Sequence, residues 1–266
     1  MSTDDANRLW TRSMPEAYER HLVPVFFRPF AVDLAARAAV LRPRTVLELA
    51  AGTGALTSAL LTSVPTASVV ATDLNEAMVT AGSAREPRAE WRQADAQDLP
   101  FEDDSFDLVV CQFGVMFFPD RPAAYTEVRR VLAPQGRFLF NSWGPLASHG
   151  FGAAFQTALE QSMPDGAPPF LRDVPHGYSD PAVVTADLAA AGLTLATAEE
   201  ITLEGVAESA ASIATGFLTG TPVSAAVQVR EDAQALQAAV TQKMTDRLGT
   251  GPVTAPMTAT VYTAHQ

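Results

Sequence analysis

Residues Val46-Leu47-Glu48-Leu49-Ala50-Ala51-Gly52-Thr53-Gly54-Ala55-Leu56-Thr57, followed by Val69-Val70-Ala71-Thr72-Asp73, constrain this chain more than any other stretch. They read as a buried strand, a glycine turn, a helix, and a second strand that ends in an acid. That layout places a nucleotide-type site at the mouth of a parallel sheet. Glycines at 52 and 54 let the backbone approach a ligand with no Cβ in the way. The helix that follows offers its unpaired N–H groups to an anion. A dinucleotide fingerprint requires a third small residue for close helix–strand packing, and Thr57 stands there. An acid, Glu48, sits on the first strand just before the turn.

The same alternation continues downstream. Strand patterns at Thr45–Leu49, Ser68–Asp73, Glu90–Gln93, Phe106–Cys111 and Arg137–Ser142 are separated by helical ones at about Ala55–Thr62, Glu76–Ser83, Pro122–Leu132 and His149–Gln161. This argues a parallel sheet with helices on both faces. Upstream, Asp33 to Leu41 is helical and stops at Pro43. Before it, Tyr18, Leu22, Val25, Phe26, Phe27 and Phe30 form an aromatic, proline-punctuated segment that reads as either a helix covering the sheet or a lid. Met163 to Pro181, dense in proline and glycine, reads as a loop and not a helix. Asp180 caps a helix over Pro181–Ala191, and Gly192 ends it. A strand at Leu193–Leu203, helices at Glu208–Phe217 and Arg230–Leu248, and an alternating strand at Met257–Ala264 complete the chain.

A length of 266 residues suits one large domain, residues 1–266, with attached cover elements. Eighteen lysines and arginines against 30 acids give a net charge of −12, which repels nucleic-acid phosphates. The one cysteine, Cys111, excludes an internal disulfide and suits a reducing compartment, so a cytoplasmic location is expected. The start, Met1-Ser2-Thr3-Asp4-Asp5, lacks an apolar signal core, and no apolar run reaches membrane-spanning length. No cysteine or histidine spacing suggests a metal.

The register of Glu48, Gly52, Gly54 and Asp73 resembles the class I S-adenosylmethionine-dependent methyltransferases, of the ubiquinone/menaquinone-biosynthesis-like group. Gln93-Ala94-Asp95-Ala96-Gln97-Asp98-Leu99-Pro100-Phe101 resembles that family's adenine-side segment, and the likeness extends to about residue 142. The resemblance implies an α/β, Rossmann-like doubly wound sheet of seven strands, mostly parallel with an antiparallel last strand, plus a helical lid. The cofactor-binding core is then about 43–145, and the lid elements are about 1–40 and 206–248. S-adenosyl-L-methionine is the implied cofactor, and S-adenosyl-L-homocysteine the product.

Residue by residue, Glu48 accepts from the cofactor ammonium, Gly52-Thr53-Gly54 receives the carboxylate, and Asp73 bridges the ribose hydroxyls. As a rival role, Asp73 suits a helix N-cap. Leu74 and Met78 pack on ribose and adenine. Asp95 accepts from the adenine amino group, the Ala96 N–H donates to the ring, and Gln97 belongs to the same segment. Cys111, Gln112 and Phe113 lie beside the methionine part. Ala50 stands where the family has its first glycine, which is tolerable while its φ stays negative. Tyr18 carries a polar tip that reaches the cofactor carboxylate.

The methyl acceptor is expected to be a small apolar or aromatic metabolite, methylated on oxygen, with nitrogen or carbon as alternatives. Phe117, Trp143 and Tyr178 are the expected pocket residues, and His176 and His149 the expected bases, if a base is needed. Apart from that contact, Cys111 reads as a small buried filler rather than a nucleophile, since no adjacent base is evident. A protein methyltransferase, and a non-catalytic regulatory protein that binds the cofactor, are the rival readings. Monomer and homodimer both stay open.

Overall fold

In a computed structural model that describes residues 14–163 and 166–266, the chain starts with helix α1 (Met14–His21). One wide π-turn, Val23–Phe27, leads from it into α2 (Arg28–Leu41). Pro24 and Pro29 have no N–H to give to a preceding carbonyl, so the helix widens and changes direction there. Strand β1 (Thr45–Leu49), α3 (Ala55–Ser63), β2 (Ser68–Asp73), α4 (Glu76–Arg85) and β3 (Glu90–Gln93) follow. Then come β4 (Phe106–Gln112), α5 (Arg121–Val131) and β5 (Leu132–Trp143). The second half holds α6 (Gly150–Ser162), α7 (Phe170–Asp173), α8 (Pro181–Ala190) and β6 (Thr194–Ala207). The chain closes with α9 (Ala210–Gly220), α10 (Val223–Gln228), α11 (Ala233–Leu248) and β7 (Val253–His265).

All seven strands join one sheet in the order β3-β2-β1-β4-β5-β7-β6. The pairs among β1 to β5 are parallel, and β7 runs antiparallel to both β5 and β6. This is the expected doubly wound arrangement with its antiparallel last strand. Alternate residues of each central strand feed opposite sides. Leu47, Val109 and Phe140 belong to one apolar layer, and Val46, Leu108 and Leu139 to the other. Burial on both faces is why these strands read as nearly continuous apolar runs.

Four sequence expectations change. The proline-rich segment contains a one-turn helix, α7. A separate short helix, α10, starts right after Pro222. The last two strands are longer than their apolar patterns, because β6 and β7 pair over their whole length as a hairpin-like ladder. The aromatic segment divides into two roles. Ala31, Leu34, Ala35 and Ala38 of α2 pack on the sheet, so that helix is a cover. Tyr18 on α1 and Phe26 and Phe27 in the π-turn face the cavities described below. Helix α9 lies close against α1 because Gly216 and Gly220, one turn apart, carry no side chain. A Cβ on Gly216 would stand 2.5 Å from Leu22, and one on Gly220 2.8 Å from the Tyr18 backbone. The first thirteen residues of the expected lid lie outside the described residues.

Candidate active site

The carboxyl ends of β1, β2 and β4 open on a cleft with about 930 Å³ of empty space, counting its mouth. Ala50, Gly52, Asp73, Leu74, Met78, Asp95, Ala96, Gln112 and Phe113 line it, with Tyr18 contributed from α1. The glycine turn is left-handed at Gly52 (φ +56°) and Gly54 (φ +89°), and a Cβ on Gly52 would meet nothing within 4 Å. The turn therefore needs glycine for its backbone, and it leaves open space for a ligand.

Ala50 is left-handed too, at φ +51°. The negative φ under which alanine would be tolerated without strain is thus not adopted. A non-glycine residue there costs roughly 1–2 kcal/mol. It fits because Gly114 faces it: a Cβ on Gly114 would stand 2.5 Å from the Ala50 Cβ and 2.6 Å from the Cys111 Sγ. Ala50→Gly is expected to raise the melting temperature of the ligand-free protein by about 2–4 °C, since relief of left-handed strain outweighs the added chain entropy by up to ~1 kcal/mol. An unchanged or lower melting temperature would show that the strain is absorbed elsewhere.

Asp73 ties the turn to β2. Its Oδ2 accepts from the Gly52 N–H at 2.8 Å and its Oδ1 from the Asn75 N–H at 2.9 Å. The cap of α4 is Asn75, whose side chain accepts from the N–H groups of Ala77 and Met78. Asp73 is therefore released from capping. Each of its oxygens keeps lone-pair capacity toward the cleft, and burial raises its hold on a proton.

Glu48 is 1 % exposed, and its Oε2 accepts from the Thr57 hydroxyl at 2.6 Å. Burial pushes its carboxyl up to about 8, although the Thr57 bond opposes the shift. A small annex of the cleft joins Glu48 to Tyr18, Phe27 and Gln112. The Gln112 Nε2 donates to the Phe27 carbonyl at 2.7 Å, while its buried Oε1 has no hydrogen-bond partner among the described residues. A buried carboxyl and an orphaned carbonyl oxygen both call for a donor, preferably a cationic one. The annex thus fits the ammonium group of the expected cofactor.

Three expected contacts shift. Gln97 does not line the cleft; it donates to Asp95 through its backbone N–H (2.9 Å) and its side chain (3.2 Å), so it orients that carboxylate. Cys111 is fully buried behind Gly114 and Ala50, and burial raises its thiol pKa, which makes it a filler. Thr53 does not line the main cleft, although it borders the annex, and its hydroxyl donates to Glu19 at 2.6 Å. Glu19 also pairs with Arg85, so one α1 carboxylate holds both the glycine turn and α4. Sequence reading missed Glu19, Thr57 and Asn141. Only Thr57 had a signal, its place one helical turn into α3, facing back toward β1.

A second chamber, with about 640 Å³ of empty space, adjoins the first; Tyr18, Phe113 and Phe117 border both. Its walls are aromatic. Phe113 stacks on Trp143 with ring centroids 3.6 Å apart and planes 5° off parallel. Phe113 is held at φ +51°, and the Asn141 Oδ1 accepts from its N–H at 2.9 Å. His149 and His176 supply the polar corner. The His149 Nδ1 accepts from the Gly152 N–H at 3.1 Å and so caps α6, and the His176 Nδ1 lies 2.8 Å from the Gly144 carbonyl oxygen. Burial, with each ring near the other, lowers His149 to about 3, and burial lowers His176 to about 4. Both are neutral at physiological pH.

Tyr178 is absent from this chamber. It is 2 % exposed, donates to Asp187 at 2.8 Å, and sits 3.3 Å from the Tyr125 hydroxyl. The Arg121 guanidinium lies over its ring at 4.1 Å. Its role is structural, contrary to the expected substrate contact. Arg121 also donates to the carbonyls of Val115 and Met116, which steadies the turn that carries Phe117. Tyr178→Phe is expected to lose about 1–3 kcal/mol of stability, as buried partners go unpaired. Denaturant melts should show this loss while cofactor affinity stays unchanged; a fall in affinity instead would return Tyr178 to the site.

Comparison with known proteins agrees with this geometry. A methyltransferase-domain family model matches residues 47–140. A demethylmenaquinone methyltransferase of Thermus thermophilus is 33% identical over 182 residues, which cover 64% of this chain and 81% of that protein. A malonyl-[acyl-carrier protein] O-methyltransferase of Halorhodospira halophila is 37% identical over 157 residues, covering 57% of this chain and 53% of that one. The chain thus spans most of the first relative and about half of the second. Among solved structures, the YcgJ protein of Bacillus subtilis shares the fold at a TM-score of 0.57 and 21% identity, over 89% of this chain and 97% of that one. With Gly52 and Asp73 in the cleft, Glu48 in its annex, and relatives of these kinds, the chain belongs to the class I S-adenosylmethionine-dependent methyltransferases, in the ubiquinone/menaquinone-like group.

Proposed function

We propose that this methyltransferase acts on a small apolar or aromatic metabolite, on oxygen, and that the acceptor occupies the chamber walled by Phe113, Phe117 and Trp143. The observation that carries this reading is the pairing of two joined cavities of opposite character. One carries the carboxylates of Asp73 and Asp95, and the other is aromatic and nearly free of charge. Bound S-adenosylmethionine supplies an activated methyl group on a good leaving group. The chain then has to orient the acceptor, exclude water, and receive a proton.

In this reading Glu48, Gln112 and the glycine turn hold the amino-acid end of the cofactor, Asp73 the ribose, and Asp95 with Ala96 the adenine. The stacked Phe113–Trp143 pair offers a flat wall to orient a ring. Tyr18, the π-turn and α9 form the lid that keeps the chambers dry. For a hydroxyl acceptor, the bound cofactor would supply the methyl group to the oxygen, and His176 would receive the hydroxyl proton. A relative from Dinoroseobacter shibae, 36% identical over 128 residues, is named a ubiquinone/menaquinone biosynthesis C-methyltransferase, which favours a second reading, transfer to carbon. Incubation with labelled S-adenosylmethionine and a panel of phenols, naphthols, arylamines and quinols, followed by mass spectrometry, tests both. Methylated oxygen on a hydroxyarene is the expected product. Label found only on ring carbon selects the second reading, and label found only on protein overturns both.

A further inference from the structure

Two neutral histidines share the polar corner of the acceptor chamber, with ring centroids 5.4 Å apart and planes at 84°. Their hydrogen bonds fix opposite tautomers. The His149 Nδ1 receives the Gly152 N–H, so it carries a lone pair, and the ring's proton is on Nε2. The His176 Nδ1 faces the Gly144 carbonyl oxygen, which can only accept; the proton is on Nδ1, and Nε2 is a bare lone pair. Both rings line the chamber. Among the described residues neither Nε2 has a hydrogen-bond partner. The chamber lining thus holds one fixed donor and one fixed acceptor on neighbouring rings.

We infer that this pair reads a neutral hydroxyl on an aromatic ring: the substrate O–H donates to the His176 Nε2 and its oxygen accepts from the His149 Nε2–H. The inference rests on the reading that the second chamber holds the methyl acceptor. Other groups fit worse. A carboxylate has no proton for His176, and no lysine or arginine among the described lining residues would balance its charge. An ether or ketone satisfies His149 alone. An ammonium satisfies His176 alone and must be stripped of water. A plain hydrocarbon leaves both nitrogens unpaired. The Thr221 hydroxyl, the chamber's other small polar group, is committed to the Phe217 carbonyl at 2.6 Å. The flat Phe113–Trp143 stack supplies the ring-sized wall beside the pair.

The test uses the full chain with S-adenosylhomocysteine and four probes: 2-naphthol, 2-methoxynaphthalene, naphthalene and 2-naphthoate. Equilibrium dialysis should rank 2-naphthol at least tenfold above 2-methoxynaphthalene, naphthalene lower still, and 2-naphthoate without measurable binding. His176→Asn keeps a donor for Gly144 and removes the acceptor, so 2-naphthol should fall to the level of 2-methoxynaphthalene while the other affinities stay put. His149→Asn keeps the α6 cap and removes the Nε2–H, so 2-methoxynaphthalene should fall to the level of naphthalene. Equal binding of naphthol and naphthalene in the unaltered protein overturns the inference whatever the variants do. So does a naphthol preference that survives His176→Asn in a variant with an unchanged melting curve. Methyl transfer to 2-naphthol is read in parallel samples that hold S-adenosylmethionine in place of S-adenosylhomocysteine. The expected ranking without transfer to any hydroxyarene supports the hydroxyl pair and overturns the methylation reading; transfer without the ranking overturns the pair alone.

Discussion

Asp73→Ala is expected to weaken binding of S-adenosylhomocysteine by at least tenfold while the sheet stays folded. In the proposed role the carboxylate accepts from both ribose hydroxyls, and each such charged bond contributes roughly 1.5–3 kcal/mol. The structure adds a second reason. Asp73 also receives the Gly52 and Asn75 N–H groups, so its loss loosens the glycine turn and the entry to α4 together. Calorimetric titration checks this, with circular dichroism as the control for folding. Unchanged affinity would remove Asp73 from the ribose site. Tight binding of NAD(P)H by the unaltered protein would contradict the cofactor preference that Thr57 and Glu48 indicate.

Cofactor affinity is also expected to fall about tenfold per pH unit as the pH drops from 8 toward 6. The Glu48 carboxyl, pushed up to about 8 by burial, is mostly protonated at pH 7 without ligand. Pairing with an ammonium requires the carboxylate, so binding releases a proton over this range. The effect on stability has the opposite sign. A carboxyl whose folded pKa lies above its unfolded value near 4.3 stabilises the ligand-free fold fully below that value, and the benefit is lost as pH rises through 8. The ligand-free melting temperature should therefore decline between pH 5 and 8, while the rise produced by S-adenosylhomocysteine grows. Titration in two buffers of different ionisation heat measures the released proton directly. Glu48→Gln should abolish the release and flatten the pH dependence. Full proton release by that variant would assign the linkage elsewhere, with Asp73, also raised by burial, the next group to examine.

The cofactor half of the molecule was legible because its signals are local. A strand, a glycine turn, a helix and a terminal acid are neighbours in sequence, and their spacing is set by one βαβ unit. The backbone at Ala50 was not legible, because its left-handed geometry is permitted by Gly114, more than sixty residues away. Tyr178 was misread for a similar reason. Its cluster with His176 in a proline-rich loop suggests a ligand contact, yet Tyr125, Asp187 and Arg121 from two other helices claim its hydroxyl and ring. His176 borders the second chamber, but the tautomers of the histidine pair depend on Gly152 and Gly144 backbone groups that composition and periodicity do not reveal. The π-turn at Val23–Phe27 left only its prolines as a trace.

The walls of the second chamber have a consequence for descent. Of its described lining residues, only Phe113 and Phe117 fall inside residues 47–140, the segment that the methyltransferase-domain model matches. Leu22, Phe26, Trp143, His149, His176 and Phe217 all lie before or after it. In the proposed reading the matched segment handles the donor, and the flanking helices choose what receives the methyl group. Mutations that reshape the flanks can redirect the enzyme to a new acceptor while the donor side is left whole. Under that reading the flanks are the place to graft when a new acceptor is wanted.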